Sequence, residues 1–129
     1  MTNKKYFFIG IGGIGMSSIA QYLNEKGNTI LGYDVSRKEF LNSPHLQEMA
    51  MIDLLLHNKK ALQPYIDKHE GIIVDGYEIT ESGILAAAHL AGSGNVRRYF
   101  KKGKQFKDGN GTKLTSYLTQ FSGYKLKLN

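Results

Sequence analysis

The sequence predicts an α+β fold that is mostly helical. Three observations carry that prediction. The chain opens on a short apolar run, a glycine-rich loop and a helix-like stretch, followed by a second β-rich run. One Asp-Gly dipeptide, Asp75-Gly76, sits between two β-rich triplets and marks a single hairpin. From Phe40 onward the remaining apolar residues recur at helical spacing, and no strand–helix alternation continues there.

A chain of 129 residues is long enough to bury a real core and is sized for one compact domain. With 41% hydrophobic and 22% charged residues, it has the composition of a folded protein rather than a disordered one. The absence of cysteine excludes disulfides and thiolate metal sites. No apolar run approaches the roughly 20 residues of a membrane span. The apolar stretch after Lys4 and Lys5 is broken by glycines, unlike a signal peptide. A cytoplasmic location is expected, with phage-type release to the cell wall as the alternative.

The elements follow in order. "KYFFIG" reads as a buried strand. Ile14 to Lys26 carries Ile14, Ile19, Tyr22 and Leu23 at helical spacing, and Gly27 stands where a C-cap belongs. "NTILGYD" reads as a second strand, and whether Thr29 to Tyr33 pairs in parallel with Tyr6 to Ile9 is the observation that would test the unit. Ser43-Pro44 is an N-cap with proline at the first helical position. The helix it starts carries Leu46, Met49, Ala50 and Leu54 on one side, and Pro64 should kink or interrupt it. After the hairpin, Thr80 caps a helix from Glu81 to Ala91 that Gly92 ends. Ser93 caps another ending near Gly103, and Thr112 caps a last one to Phe121. The segments 1–36 and 37–129 meet near Val35 to Phe40, as two units or merged into one domain.

The opening loop has a specific physical reading. Gly10 permits the tight turn after the strand, and Gly12 lets the backbone approach an anion. Gly15 lets helix and strand pack closely, and Gly13 completes the loop. A helix N-terminus offers free N–H groups and a positive dipole end to a phosphate. Asp34 closes the second strand, placed to accept a hydrogen bond from a ribose hydroxyl. The unit is Rossmann-like, and NAD(P) is one ligand such a unit can take. No Gly-Lys-Ser/Thr follows, so this is not a nucleoside-triphosphate loop.

The stretch "FFIGIGGIGMSSIAQYLNEKGNTILGYD" resembles the start of the Mur ligases, specifically those joining L-alanine to UDP-N-acetylmuramate. The resemblance is carried by residues 4–36. It implies that the glycine loop faces the diphosphate of a UDP-sugar, UDP-N-acetylmuramate, rather than a nicotinamide cofactor. The ATP-binding Gly-Thr-x-Gly-Lys-Thr/Ser loop of that family is absent from this sequence.

A second stretch, "ITESGILAAAHLAGSGNVRRYF", resembles the helix–turn–helix near the end of lysozyme-like lytic transglycosylase domains. With its flanks, the likeness covers residues 37–129, as in the C-terminal half of a phage-type domain. It implies a glycan-facing region at His89, Gly92, Ser93 and Gly94. His89 and Leu90 stand where that family has Tyr and Asn, and a histidine between Ala88 and Leu90 is also an ordinary core residue. The "ESG" at Glu81 echoes the family's catalytic Glu-Ser. The residues themselves favour an acid in a first helical turn, leaving Glu81 a weak candidate general acid.

Glycan hydrolysis needs a protonated carboxyl in an apolar pocket and usually a second carboxylate. No such pair stands out. His45, His57 and His69 lack metal-ligand spacing, so no metal site is expected. The expected function is a peptidoglycan-related binding protein for a UDP-sugar or glycan, non-catalytic as it stands. A muramidase or transglycosylase and an NAD(P)-binding protein are the alternatives.

Charge is uneven. From Arg97 to the end the chain carries nine Lys or Arg against Asp108 alone, a net +8, while residues 1–96 carry −2. Such a segment can meet an anionic surface, an acidic polymer or nucleic acid, or simply be a solvated face. No aromatic ladder alternates with the basic residues, so nucleic acid is not the expected partner.

Overall fold

The computed structural model describes residues 29–30, 33–34 and 36–126. The strand at Tyr6 to Ile9, the glycine loop with Gly10, Gly12, Gly13 and Gly15, the helix from Ile14 and the cap at Gly27 lie outside the described residues. The described residues are mostly helical with two small antiparallel strand pairs, an α+β arrangement. They fall into two compact units divided between Leu56 and His57.

In the first unit, "NTILGYD" is not one strand. β1 (Thr29–Ile30) pairs antiparallel with β2 (Tyr33–Asp34), with Ile30 opposite Tyr33 and Thr29 opposite Asp34. α1 (Arg37–Asn42) follows, an element absent from the sequence reading. Its signal is the run Ser36-Arg37-Lys38-Glu39. Ser36 Oγ accepts from the Glu39 N–H at 3.1 Å, and Glu39 Oε1 accepts from the Ser36 N–H at 3.1 Å, a reciprocal cap. The Ser36 backbone and side-chain hydrogen bonds hold the Glu39 carboxyl below its ordinary range.

α2 (Pro44–His69) begins where Ser43-Pro44 predicts, with Ser43 Oγ accepting from the Leu46 N–H at 3.1 Å. It then runs unbroken through Pro64, against expectation. Pro64 and Lys60 both lie on the exposed side, where water can satisfy the Lys60 carbonyl that proline leaves unbonded. The opposite side carries Met51, Leu55, Asn58, Leu62 and Ile66, all buried. A proline inside a helix costs about 3 kcal/mol. Burying two side chains such as Leu62 and Ile66 returns about 2 kcal/mol each, so a continuous helix wins.

The second unit places the hairpin and three helices. β3 (Ile73–Val74) pairs antiparallel with β4 (Tyr77–Glu78), with Val74 opposite Tyr77. Asp75 (φ 52°) and Gly76 (φ 84°) form the left-handed two-residue turn that this dipeptide favours. α3 (Glu81–Ala91) is capped by Thr80, whose Oγ1 accepts from the Gly83 N–H at 3.2 Å. α4 (Ser93–Lys102) is entered from Gly92 rather than capped by Ser93, and left-handed Gly103 ends it. α5 (Leu114–Gln120) has Lys113, not Thr112, at its N-cap. α3 packs against both α4 and α5. Ile79, Ile84, Leu85, Val96, Leu114 and Leu118 are fully buried there.

Candidate functional site

The first turn of α3 is the most densely bonded part of the second unit. Ser82 Oγ donates to the Phe121 carbonyl at 2.6 Å and accepts from the Tyr124 N–H at 3.0 Å. Thr80 Oγ1 accepts from the Gly123 N–H at 3.1 Å while also capping the helix. Gly83 lets α3 approach α5 closely, because a Cβ there would meet the Leu118 carbonyl oxygen at 2.5 Å. Thr80, Ser82 and Gly83 therefore tie the start of α3 to the end of α5. The "ESG" that echoes a catalytic motif is a structural clasp built from small residues.

Glu81 sits beside this clasp. Its Oε1 lies 3.3 Å from Lys59 Nζ, and its side chain is 25% exposed. Its own N–H donates to Glu70 Oε2 at 3.2 Å. A glycosidic general acid holds its proton in an apolar pocket. An ammonium and a second carboxylate on a half-open surface are different surroundings, and nothing in this geometry gives Glu81 a catalytic role.

His89 is 2% exposed. The interior of α3 withdraws it from any surface contact, and burial pushes its imidazole down to about 4. Gly92, Ser93 and Gly94 form the junction of α3 and α4, with Gly92 and Gly94 exposed and Gly92 at φ 84°. The structure does not bring His89 to the surface with that junction. Asp34 lies in β2, and its expected partners in the glycine loop lie outside the described residues. Among the described residues, no three His, Asp or Glu side chains gather in a way that could hold a metal ion.

Sequence reasoning missed two further contacts. Tyr99 of α4 is buried and donates through its hydroxyl to Asp75 Oδ2 at 2.6 Å, pinning the hairpin turn. Burial, then the Asp75 hydrogen bond and charge, raise the Tyr99 phenol above its ordinary range. His69 stacks on Phe100 with ring centroids 4.3 Å apart and on Tyr65 at 6.3 Å. The Tyr99–Asp75 and His69–Phe100 pairings have no local signature, since their partners lie far apart in the chain, whereas Tyr65 and His69 stand one turn apart on α2.

Comparison with known proteins finds a likeness for the first part of the chain. Residues 5–63 match the Mur ligase family, catalytic domain. This part is Mur ligase-like, and the match runs beyond the 4–36 stretch that carries the glycine motif. The particular relatives are UDP-N-acetylmuramate–L-alanine ligases. That of Campylobacter curvus is 41% identical over 81 residues, covering 61% of this chain and 18% of that protein. That of Leuconostoc mesenteroides is 45% identical over 88 residues, covering 68% of this chain and 19% of that protein. That of Porphyromonas gingivalis strain W83 is 58% identical over 33 residues, covering 26% and 7%. The chain thus spans at most about a fifth of the length of these curated relatives. A stretch of 88 residues in a chain of 129 passes residue 36 wherever it begins. The similarity therefore extends into the segment after residue 36. No solved structure matches the chain.

Proposed function

We propose that the Mur ligase-like part of this chain binds a UDP-sugar of the N-acetylmuramate type through Gly10, Gly12, Gly13, Gly15 and Asp34. The carrying observation is the Mur ligase family match over residues 5–63, together with the similarity to ligases named for UDP-N-acetylmuramate. The chemistry of the loop supports it, since glycines before a helix suit a diphosphate and an acid suits a ribose hydroxyl. The reading is of UDP-sugar binding alone, since these 129 residues include no Gly-Lys-Thr/Ser loop for ATP phosphates. The finer reading adds a glycan contact at the exposed Gly92–Ser93–Gly94 junction and a cytoplasmic location.

Calorimetric titration of the full chain with UDP-N-acetylmuramate, UDP and NAD tests this. The expected order is UDP-N-acetylmuramate tightest, UDP weaker, NAD unbound. Gly12→Val should abolish UDP-sugar binding. Unchanged affinity in that variant would remove the loop as the site, and NAD binding tightest would replace the reading with a dinucleotide one.

A further inference from the structure

The strongest unassigned feature is the basic surface that begins on α4. Val96 and Tyr99 turn into the core, leaving Arg98, Lys101 and Lys102 exposed on the opposite side. After Gly103 the exposed Lys104 continues the charge. Lys107 and Lys113 then pair across an antiparallel bridge, both exposed. Like charges held directly opposite each other repel. Gln105 and the loop hold them there. Gln105 Nε2 donates to Thr115 Oγ1 at 3.1 Å, and the Leu114 N–H donates to the Phe106 carbonyl at 2.9 Å.

The segment's single acid does not neutralise them. Asp108 Oδ1 accepts from the Asn110 and Thr112 N–H groups at 2.9 and 2.7 Å, and its Oδ2 is buried. None of the six basic residues just named has a carboxylate partner among the described residues. An external anion is what this arrangement can accommodate.

The surroundings narrow the kind of anion. α5, which begins directly after Lys113, exposes Ser116, Thr119 and Gln120, neutral groups whose Thr119 hydroxyl donates to the Thr115 and Ser116 carbonyls and keeps its acceptor side. The aromatic residues of α4 and α5 are engaged in the fold rather than offered as stacking platforms, and Tyr124 is the exposed aromatic ring of the segment among the described residues. Tyr99 is bonded to Asp75, Phe100 is stacked on His69, and Tyr117 packs edge-on against Phe121. A bilayer-bound helix needs a free apolar face, and that of α4 is already in the core. Lysines dominate, giving point charges on flexible stems rather than fixed bidentate forks.

We propose that the strip from α4 through the Lys107–Lys113 bridge, edged by the hydroxyl face of α5, docks an acidic polysaccharide: a linear chain of hydroxylated sugars carrying carboxylates. Lysine ammonium groups meet the carboxylates, and Ser116, Thr119 and Gln120 meet the hydroxyls. Its residues are other than those of the UDP-sugar loop.

The test uses the full chain and fluorescently labelled polygalacturonate, with duplex DNA and phosphatidylglycerol vesicles at matched charge as comparison arms. Polygalacturonate should bind tightest, with affinity falling as salt rises. Lys107→Gln with Lys113→Gln should weaken it about tenfold and lower the salt slope by about 2. Ser116→Ala with Thr119→Ala should weaken it with the salt slope unchanged. Circular dichroism confirms that each variant is folded. DNA or vesicles binding as tightly as polygalacturonate overturns the proposal, as does unchanged affinity in both folded variants. Gly12→Val should leave this binding intact, which separates it from the UDP-sugar reading.

Discussion

α3 and α4 are neighbours joined at Gly92, of nearly equal length, and they use their surfaces in opposite ways. In α3 every residue from Ser82 to His89 is buried, and small residues dominate. In α4 only Val96 and Tyr99 are buried, and the outer side is basic. The residue types account for the difference. Gly83, Ala86, Ala87 and Ala88 let neighbouring segments approach from several directions, so α3 becomes the centre of its unit. Arg98, Lys101 and Lys102 cannot leave water unpaired, so α4 becomes an edge. Stability in this unit should therefore concentrate in α3, and ligand contact in α4.

The largest expected effect is on α3 at acid pH. His89 is buried and neutral, with its imidazole lowered from 6.5 to about 4. The unfolded chain takes up a proton there before the folded one does. Stability is therefore full above about pH 6.5 and declines as pH falls toward 4, by on the order of 3 kcal/mol. Urea denaturation from pH 8 to 4 reads this, and His89→Leu should flatten the profile. A slope that survives in the variant would place the acid sensitivity elsewhere.

Next in size is the close approach of α3 and α5. Gly83→Ala gains about 1 kcal/mol of helix propensity, but its Cβ would meet the Leu118 carbonyl at 2.5 Å. A net loss of about 2 kcal/mol is expected by chemical denaturation. A more stable variant would mean that α5 can shift. Ser82→Ala leaves the Phe121 carbonyl and Tyr124 N–H without their partner. It should cost about 2 kcal/mol and speed proteolysis after residue 120.

α4 sharpens the contrast through one residue. Tyr99→Phe removes the bond to Asp75 and should cost about 1 kcal/mol, with faster amide exchange at the hairpin. Smallest of all, Arg98→Gln and Lys102→Gln should each change stability by less than about 0.5 kcal/mol. A larger loss in either would show that the outer side of α4 carries structure as well as charge.

Much of the local structure was legible. Ser43-Pro44, Asp75-Gly76, Thr80, Gly92 and Gly103 mark their boundaries because each acts through its own backbone geometry or an adjacent N–H. α1 was equally legible in Ser36 and Glu39, a pair three residues apart. The site was less so. His89, between Ala88 and Leu90, reads more readily as core than as groove-facing, and packing decides. Ser82 reads as part of a catalytic echo, because its partners at Phe121 and Tyr124 lie about 40 residues away.

The sequence by itself determined the helix starts at Ser43 and Thr80, the hairpin turn, the basic C-terminal segment and the likeness to UDP-N-acetylmuramate ligases. All of these are written in adjacent residues or in composition. Tertiary structure alone decided that α2 passes through Pro64, that His89 is interior, and that Ser82 is a clasp. It also decided that Lys107 faces Lys113 across a bridge. Each of these turns on burial or on partners distant in the chain. Their free energy comes from water excluded and hydrogen bonds closed between segments, which no local pattern encodes.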